Sequence, residues 1–113
     1  MDDVASPPAS DDGQPTASVE HWPEGRGQLV KITGELDISN VESVRQAIDL
    51  VTAERPAVLI FELSELRFID SSGIALLLGA AREVGAVKMR NPSPAVRRVV
   101  EITGLSEALP LES

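Results

Sequence analysis

Cysteine is absent from this chain. Disulfides, thiolate nucleophiles and Cys-based zinc sites are therefore excluded. Histidine occurs once, as His21, so a His-rich metal site is ruled out and any serine nucleophile has a single imidazole to draw on. Aromatic residues are scarce: Trp22, Phe61 and Phe68, with no tyrosine. Base-stacking modules need aromatic platforms, and phosphate backbones attract basic faces. A formal net charge of −8 therefore speaks against direct nucleic-acid binding and against docking on anionic membranes. The longest apolar run, Ile74–Leu78, is far too short to span a bilayer. No basic stretch followed by an apolar one opens the chain, so a secretory signal is not expected. The sequence reads as that of a soluble cytoplasmic protein.

What is present fits one small domain. The 113 residues are 42% hydrophobic, enough for a single core but with little room for a deep active-site cavity. Residues 1–17 hold four aspartates, no basic residue, and prolines at 7, 8 and 15. Such a segment buries too little apolar surface to offset its ordering entropy, and a disordered acidic tail is expected there, followed by a folded domain over residues 18–113.

Within the domain, "SVEHW" and "QLVKI" flank the turn-forming "PEGRG", which predicts a hairpin of Ser18–Trp22 with Gln28–Thr33. Val41, Val44, Ile48 and Val51 keep helical spacing. "SNVE" has the form of a capping box between Ser39 and Glu42, so a helix is expected from about Asn40 to Ala53, ending before Pro56. "AVLIFEL", Ala57–Leu63, reads as a buried central strand, parallel to Gln28–Thr33 through a right-handed crossover. After a short loop a second helix is expected over about Ser72–Val84, then a strand over Ala86–Met89. A third helix follows, with Ser93 as N-cap, Pro94 in its first turn, Val96, Val99, Val100 and Thr103 facing inward, and Gly104 as its stop. "ALPL" near the end suggests a short last strand. The class is α/β: a small mixed sheet of four to five strands with helices packed mainly on one face.

The stretch "LRFIDSSGIALLLGAA", Leu66–Ala81, carries the candidate chemistry. Asp and Ser at the head of an apolar run are ordinary helix-capping residues, and Gly73 suits close packing at a turn. Three arguments point beyond capping. Parallel strands place their following loops at one sheet edge, where sites of open α/β sheets gather, so Asp37, Asp70, Ser71 and Ser72 are expected to converge. A serine at a helix start can accept a phosphate beside free amides and a positive partial charge. That phosphate would add nearly two negative charges next to Asp37 and Asp70 and repel a docked partner. The competing uses are weaker. A serine hydrolase would need His21 as base, and the paired carboxylates Asp37 and Asp70 could do acid–base or metal chemistry only with a substrate cavity. No metal and no cofactor is expected. Local physics leaves the choice between Ser71 and Ser72 open.

Taken together, "LVKITGELDISN", "AVLIFELSELRFIDSSGIALLL" and "NPSPAVRRVVEITGL" resemble the STAS domain, and within it the single-domain bacterial anti-sigma factor antagonists. The resemblance covers about residues 18–113. It implies a partner switch: the unphosphorylated protein binds an anti-sigma factor that is also a serine kinase and so frees a sigma factor. The kinase phosphorylates the hydroxyl residue after the motif aspartate, which weakens the complex, and a phosphatase resets it. On this chain the resemblance puts the acceptor at Ser71 and the motif aspartate at Asp70, with Ser72 and Gly73 completing the loop. It assigns Asp37 to recognition or phosphorylation and makes Asp37, Asp70, Ser71, Ser72 and Gly73 the partner-binding set, with no catalytic residue. A monomer is expected, with a dimer as the alternative. A STAS module used as a scaffold, in a sensory complex or a membrane transport assembly, is the second reading. The stretch from Gly73 to Pro94 is about one helical turn shorter than that family's pattern, and the acidic tail lies outside it.

Overall fold

Tertiary structure is given by a computed structural model that describes residues 17–112. The segment expected to be a disordered tail lies, apart from Ala17, outside the described residues. The order of elements is β1 (Ala17–Glu24), β2 (Gly27–Leu36), α1 (Val41–Thr52), β3 (Leu59–Glu62), β4 (Leu66–Ile69), α2 (Ser71–Val84), β5 (Val87–Arg90) and α3 (Pro94–Ile102). They form a five-stranded mixed sheet with three helices, in agreement with the α/β class read from the sequence. The expected hairpin is present and longer, because antiparallel pairing runs from Ala17 opposite Gly34 to Glu24 opposite Gly27.

One strand organises the sheet. β2 spans ten residues, more than any parallel neighbour needs. Its first half pairs with β3, Gln28 to Lys31 against Leu59 to Glu62. Its second half pairs with β4, Gly34 to Leu36 against Leu66 to Ile69, across a bulge at Gly34/Glu35. β4 replaces the plain loop expected between the third strand and the second helix. The signal was small: four residues of suitable β propensity, separated from β3 by a turn at Ser64 and Glu65. Only the spare length of β2 gives them a partner. β5 continues the parallel set on the far side of β3.

Strand alternation sets the layers. Val30, Ile32 and Leu36 of β2, Leu59 and Phe61 of β3, and Val87 and Met89 of β5 join one buried cluster. Val44, Ile48 and Val51 of α1, Ile74, Leu77 and Ala80 of α2, and Val96 and Val100 of α3 close that same cluster. The helices thus pack on one face. Leu29 and Ile60, neighbours in register, are buried but stand outside the cluster and belong to the opposite face. The helical face leans on ordinary caps: the Ser93 hydroxyl accepts from the Val96 amide, as expected, at 3.4 Å, and Gly85 closes α2 in the left-handed region at φ 87°.

Three local expectations are corrected. The capping box between Ser39 and Glu42 does not form: the N-cap of α1 is Asn40, without a side-chain cap bond. Ser39 instead donates its hydroxyl to Asp37 Oδ1 at 2.6 Å, and Glu42 pairs with Arg45. The Ser39 amide also donates to Asp37 Oδ1, at 2.9 Å, so the Asp37 carboxylate takes the place that the box would give to the Glu42 carboxylate. Thr103 lies exposed rather than inward, bonding back to the Val99 carbonyl at 2.8 Å. The "ALPL" strand reduces to a bridge from Leu111 to Met89, since Pro110 has no amide to donate. Arg90 ties this last segment to the hairpin, donating to Glu112 at 2.8 Å and Glu24 at 3.1 Å. Those hydrogen bonds hold both carboxyls below their ordinary range.

The two phenylalanines differ sharply in environment, with Phe61 at 0% exposure and Phe68 at 47%. Phe61→Ala is expected to destabilise the domain by about 3–5 kcal/mol in urea or guanidinium unfolding, and Phe68→Ala by about 1 kcal/mol or less.

Candidate functional site

Leu36 and Ile69 are direct partners across β2 and β4. The residues that follow each of them, Asp37 and Asp70, therefore leave the sheet side by side at its carboxyl edge. The Asp70 amide donates to the Leu36 carbonyl at 3.1 Å, which extends the ladder by one bond into the loops. The convergence expected from parallel topology is realised, despite more than thirty intervening residues.

Asp70 is the N-cap of α2. Its Oδ1 accepts from the Ser72 amide at 2.9 Å, the Ser72 hydroxyl at 2.6 Å and the Gly73 amide at 3.1 Å. Its Oδ2 accepts from the Ile38 amide of the neighbouring loop at 3.2 Å. Burial pushes this carboxyl upward, but the Ser72 hydroxyl and the three amides together outweigh it and hold Asp70 below the ordinary carboxylate value. One side chain thus starts a helix and clasps the adjoining loop to it.

The adjoining loop has the same internal construction. Asp37 Oδ1 accepts from the Ser39 amide at 2.9 Å and from the Ser39 hydroxyl at 2.6 Å. Asn40 braces the turn from behind, with Nδ2 donating to the Glu35 carbonyl at 2.7 Å and Oδ1 accepting from the Asp37 amide at 3.1 Å. Two Asp-x-Ser turns therefore stand next to each other, Asp37-Ile38-Ser39 and Asp70-Ser71-Ser72. In each, the first residue grips the third and the middle residue points outward: Ile38 and Ser71 are both exposed. Ile38, Ser39 and Asn40 were not among the site residues expected from the sequence. The repeated D-x-S pattern was the available signal.

The structure separates the two serines that local reasoning could not. Ser72 is half-buried and its hydroxyl is committed to Asp70. Ser71 holds the first position of α2 and is exposed. Gly73 is buried, and a Cβ there would stand 2.7 Å from Ile69 Cγ1 and 2.9 Å from Leu36 Cγ. It lets the helix start sit directly on the two strand ends that carry the aspartates.

The hydrolase alternative fails on distance. His21 lies opposite Val30, six residues of β2 before Leu36, roughly 20 Å away at about 3.3 Å per residue. Hydrogen-bond contact with Ser71 or Ser72 is out of reach. Among the described residues, no three His, Cys, Asp or Glu side chains gather as a metal site, and no helix is long and apolar enough to cross a membrane.

Fold and edge together define a small α/β module whose prominent feature is a rigid, acidic, hydroxyl-bearing pair of loops. Comparison with known proteins gives this class a family. The model of the STAS domain matches residues 24–113, so the chain belongs to the STAS domain family. It is similar to the anti-sigma F factor antagonist of Lysinibacillus sphaericus, 39% identical over 82 residues, covering 68% of this chain and 70% of that one. The anti-sigma-B factor antagonist of Bacillus subtilis is 28% identical over 88 residues, covering 74% and 80%. Among solved structures, an anti-sigma factor antagonist from Mycobacterium paratuberculosis superposes with a TM-score of 0.79 at 27% identity, covering 85% of each chain. The antagonist SpoIIAA in its unphosphorylated form gives 0.71 at 29% identity, covering 85% and 89%.

Two stability tests follow from this geometry. Asp70→Ala is expected to cost about 0.5–2 kcal/mol, the usual range for a lost N-cap. Because the folded carboxyl is held below its ordinary 3.8, its contribution is fully present above that value and is lost as pH falls through the folded one. The difference in unfolding free energy between wild type and Asp70→Ala should therefore be flat from neutral pH to mild acid and shrink on stronger acidification. Gly73→Ala should destabilise despite its better helix propensity, since overpacking costs about 1–3 kcal/mol against a gain of about 1 kcal/mol; thermal unfolding reads the sign.

Proposed function

We propose that the chain is an anti-sigma factor antagonist whose docking edge is the pair of Asp-x-Ser loops and whose affinity is switched by phosphorylation of Ser71. In its unphosphorylated form it binds an anti-sigma factor that is also a serine kinase, and so frees a sigma factor. The observation that carries the reading is the contrast between the serines: Ser71 is exposed at the first position of α2, while Ser72 is half-buried and held by Asp70. Family membership and the named function of its relatives supply the partner class.

The mechanism runs through electrostatics. A helix N-terminus favours an added anion, so a phosphate on Ser71 is compatible with the fold. The amides of Ser72 and Gly73 already serve Asp70, so the new group finds those donors occupied. It remains an outward charge of about −1.5 to −2 beside Asp37 and Asp70. A partner docked there would meet like-charge repulsion and the cost of burying the phosphate, and the complex would weaken. The chain performs no chemistry in this scheme: its hydroxyl is the substrate of the partner kinase, and a phosphatase restores it. One of the solved relatives is SpoIIAA in a phosphorylated form, with a TM-score of 0.64 to this chain over 85% of its length.

Incubation with the cognate anti-sigma factor kinase and ATP, followed by mass-spectrometric site mapping, tests the assignment. Phosphate is expected on Ser71 in the wild type and in Ser72→Ala, and on neither remaining serine of the loops in Ser71→Ala. Phosphate on Ser72 alone, or on no residue, would defeat it. The scaffold reading, in which the module works without phosphorylation, predicts that last result.

A further inference from the structure

The middle residue of the first Asp-x-Ser turn has no explanation in the turn itself. Ile38 is 76% exposed. Its backbone is useful, since the amide clasps Asp70, but its side chain contributes to neither the core nor the partly buried hydrophobics packed on it. The twin turn shows that the geometry needs no apolar group there, because Ser71 occupies the same place between Asp70 and Ser72. An exposed β-branched residue has thus been set at the head of an acidic edge, between two carboxylates.

The setting is also pre-organised. The Asp37 carbonyl accepts from the amides of Asn40 at 3.1 Å and Val41 at 2.9 Å, and its carboxylate holds Ser39. With the Ile38 amide fixed to Asp70, the backbone that presents the side chain is ordered before any partner arrives. Binding through it forfeits little further backbone entropy. Among the described residues no donor engages Oδ2 of Asp37, which leaves an acceptor beside the apolar group.

We infer that Ile38 is the hydrophobic anchor of the docking edge, inserting into an apolar pocket of the anti-sigma factor that is bordered by a cationic or N–H donor facing Asp37. The inference rests on the proposed function and names the chemistry of its partner surface. A buried anchor ringed by polar contacts is the common form of an interface hot spot. It also gives the switch a lever: Ile38 and Ser71 stand on adjoining turns, and a phosphate on one would hold the partner away from the other.

Binding of the purified anti-sigma factor kinase to the full chain, measured by calorimetry, tests this with matched controls. Leu50 and Ile102 are exposed to 73% and 74%, but they lie in the tenth position of α1 and at the end of α3, away from the edge. Ile38→Ala is expected to weaken binding by about tenfold or more, and Ile38→Leu to retain most of the affinity. Leu50→Ala and Ile102→Ala should stay within about twofold, the change expected of residues outside a hot spot. Thermal unfolding of Ile38→Ala should match wild type. Equal affinity for Ile38→Ala and wild type, equal losses in all three alanine variants, or a lowered melting temperature for Ile38→Ala would each overturn the anchor. Failure of the wild type to bind any anti-sigma factor would overturn the functional reading and the anchor together; normal binding with an indifferent Ile38 would overturn the anchor alone.

Discussion

The arrangement at the carboxyl edge depends on one carboxylate. Asp70 collects four hydrogen bonds, three from the first turn of α2 and one from the loop after β2. Without it, the helix would start with unsatisfied amides, and the two loops would be joined only through the backbone bond from Asp70 to Leu36. With it, Ser72 turns inward and Ser71 turns outward. The distinction between a structural serine and an available one is a consequence of where this side chain points.

That geometry in turn requires the register of the sheet. β2 is long enough to hold two parallel partners in succession, so β4 can end level with it. Leu36 and Ile69 are then neighbours, and the aspartates after them emerge as a pair. Gly73 completes the fit, because the absence of a Cβ lets α2 begin against both of those residues. The core beneath is aliphatic, with Phe61 as its single fully buried aromatic, and the charged groups are arranged on the rim. A polar edge built on an apolar layer suits recognition between proteins, where charge complementarity sets specificity and encounter rate.

Much of this was legible in the sequence. Helical spacing gave α1 and α3 to within a residue or two, and the run "AVLIFEL" gave β3, reaching two residues before and one residue past the strand Leu59–Glu62. Ser93 capped as its position suggested, and parallel topology brought Asp37 to Asp70 and Ser71. What stayed hidden were competitions that single-residue rules do not resolve. The Ser39 amide had two carboxylates to choose from, Asp37 and Glu42, and it donates to Asp37, which removed the capping box. β4 is four residues long and exists because of the spare length of a strand thirty residues earlier. Ser71 and Ser72 have equal claims in any local rule; a hydrogen bond to Asp70 separates them. Ile38 was passed over because an isolated apolar residue in a loop carries no periodic signal, and its meaning comes from the neighbouring turn.

The proposed switch works by adding charge to an edge that is already acidic and where the Ser72 and Gly73 amides already serve Asp70. Its effect should therefore be electrostatic and sensitive to salt, with screening lengths falling from about 10 Å at 0.1 M to about 3 Å at 1 M. The most direct measurement is the affinity of the unphosphorylated and the Ser71-phosphorylated chain for the same anti-sigma factor, each at low and high ionic strength. The phosphorylated form is expected to bind more weakly by about tenfold or more, equivalent to about 1.4 kcal/mol, with the gap narrowing as salt rises. Equal affinity of the two forms at low salt would contradict it.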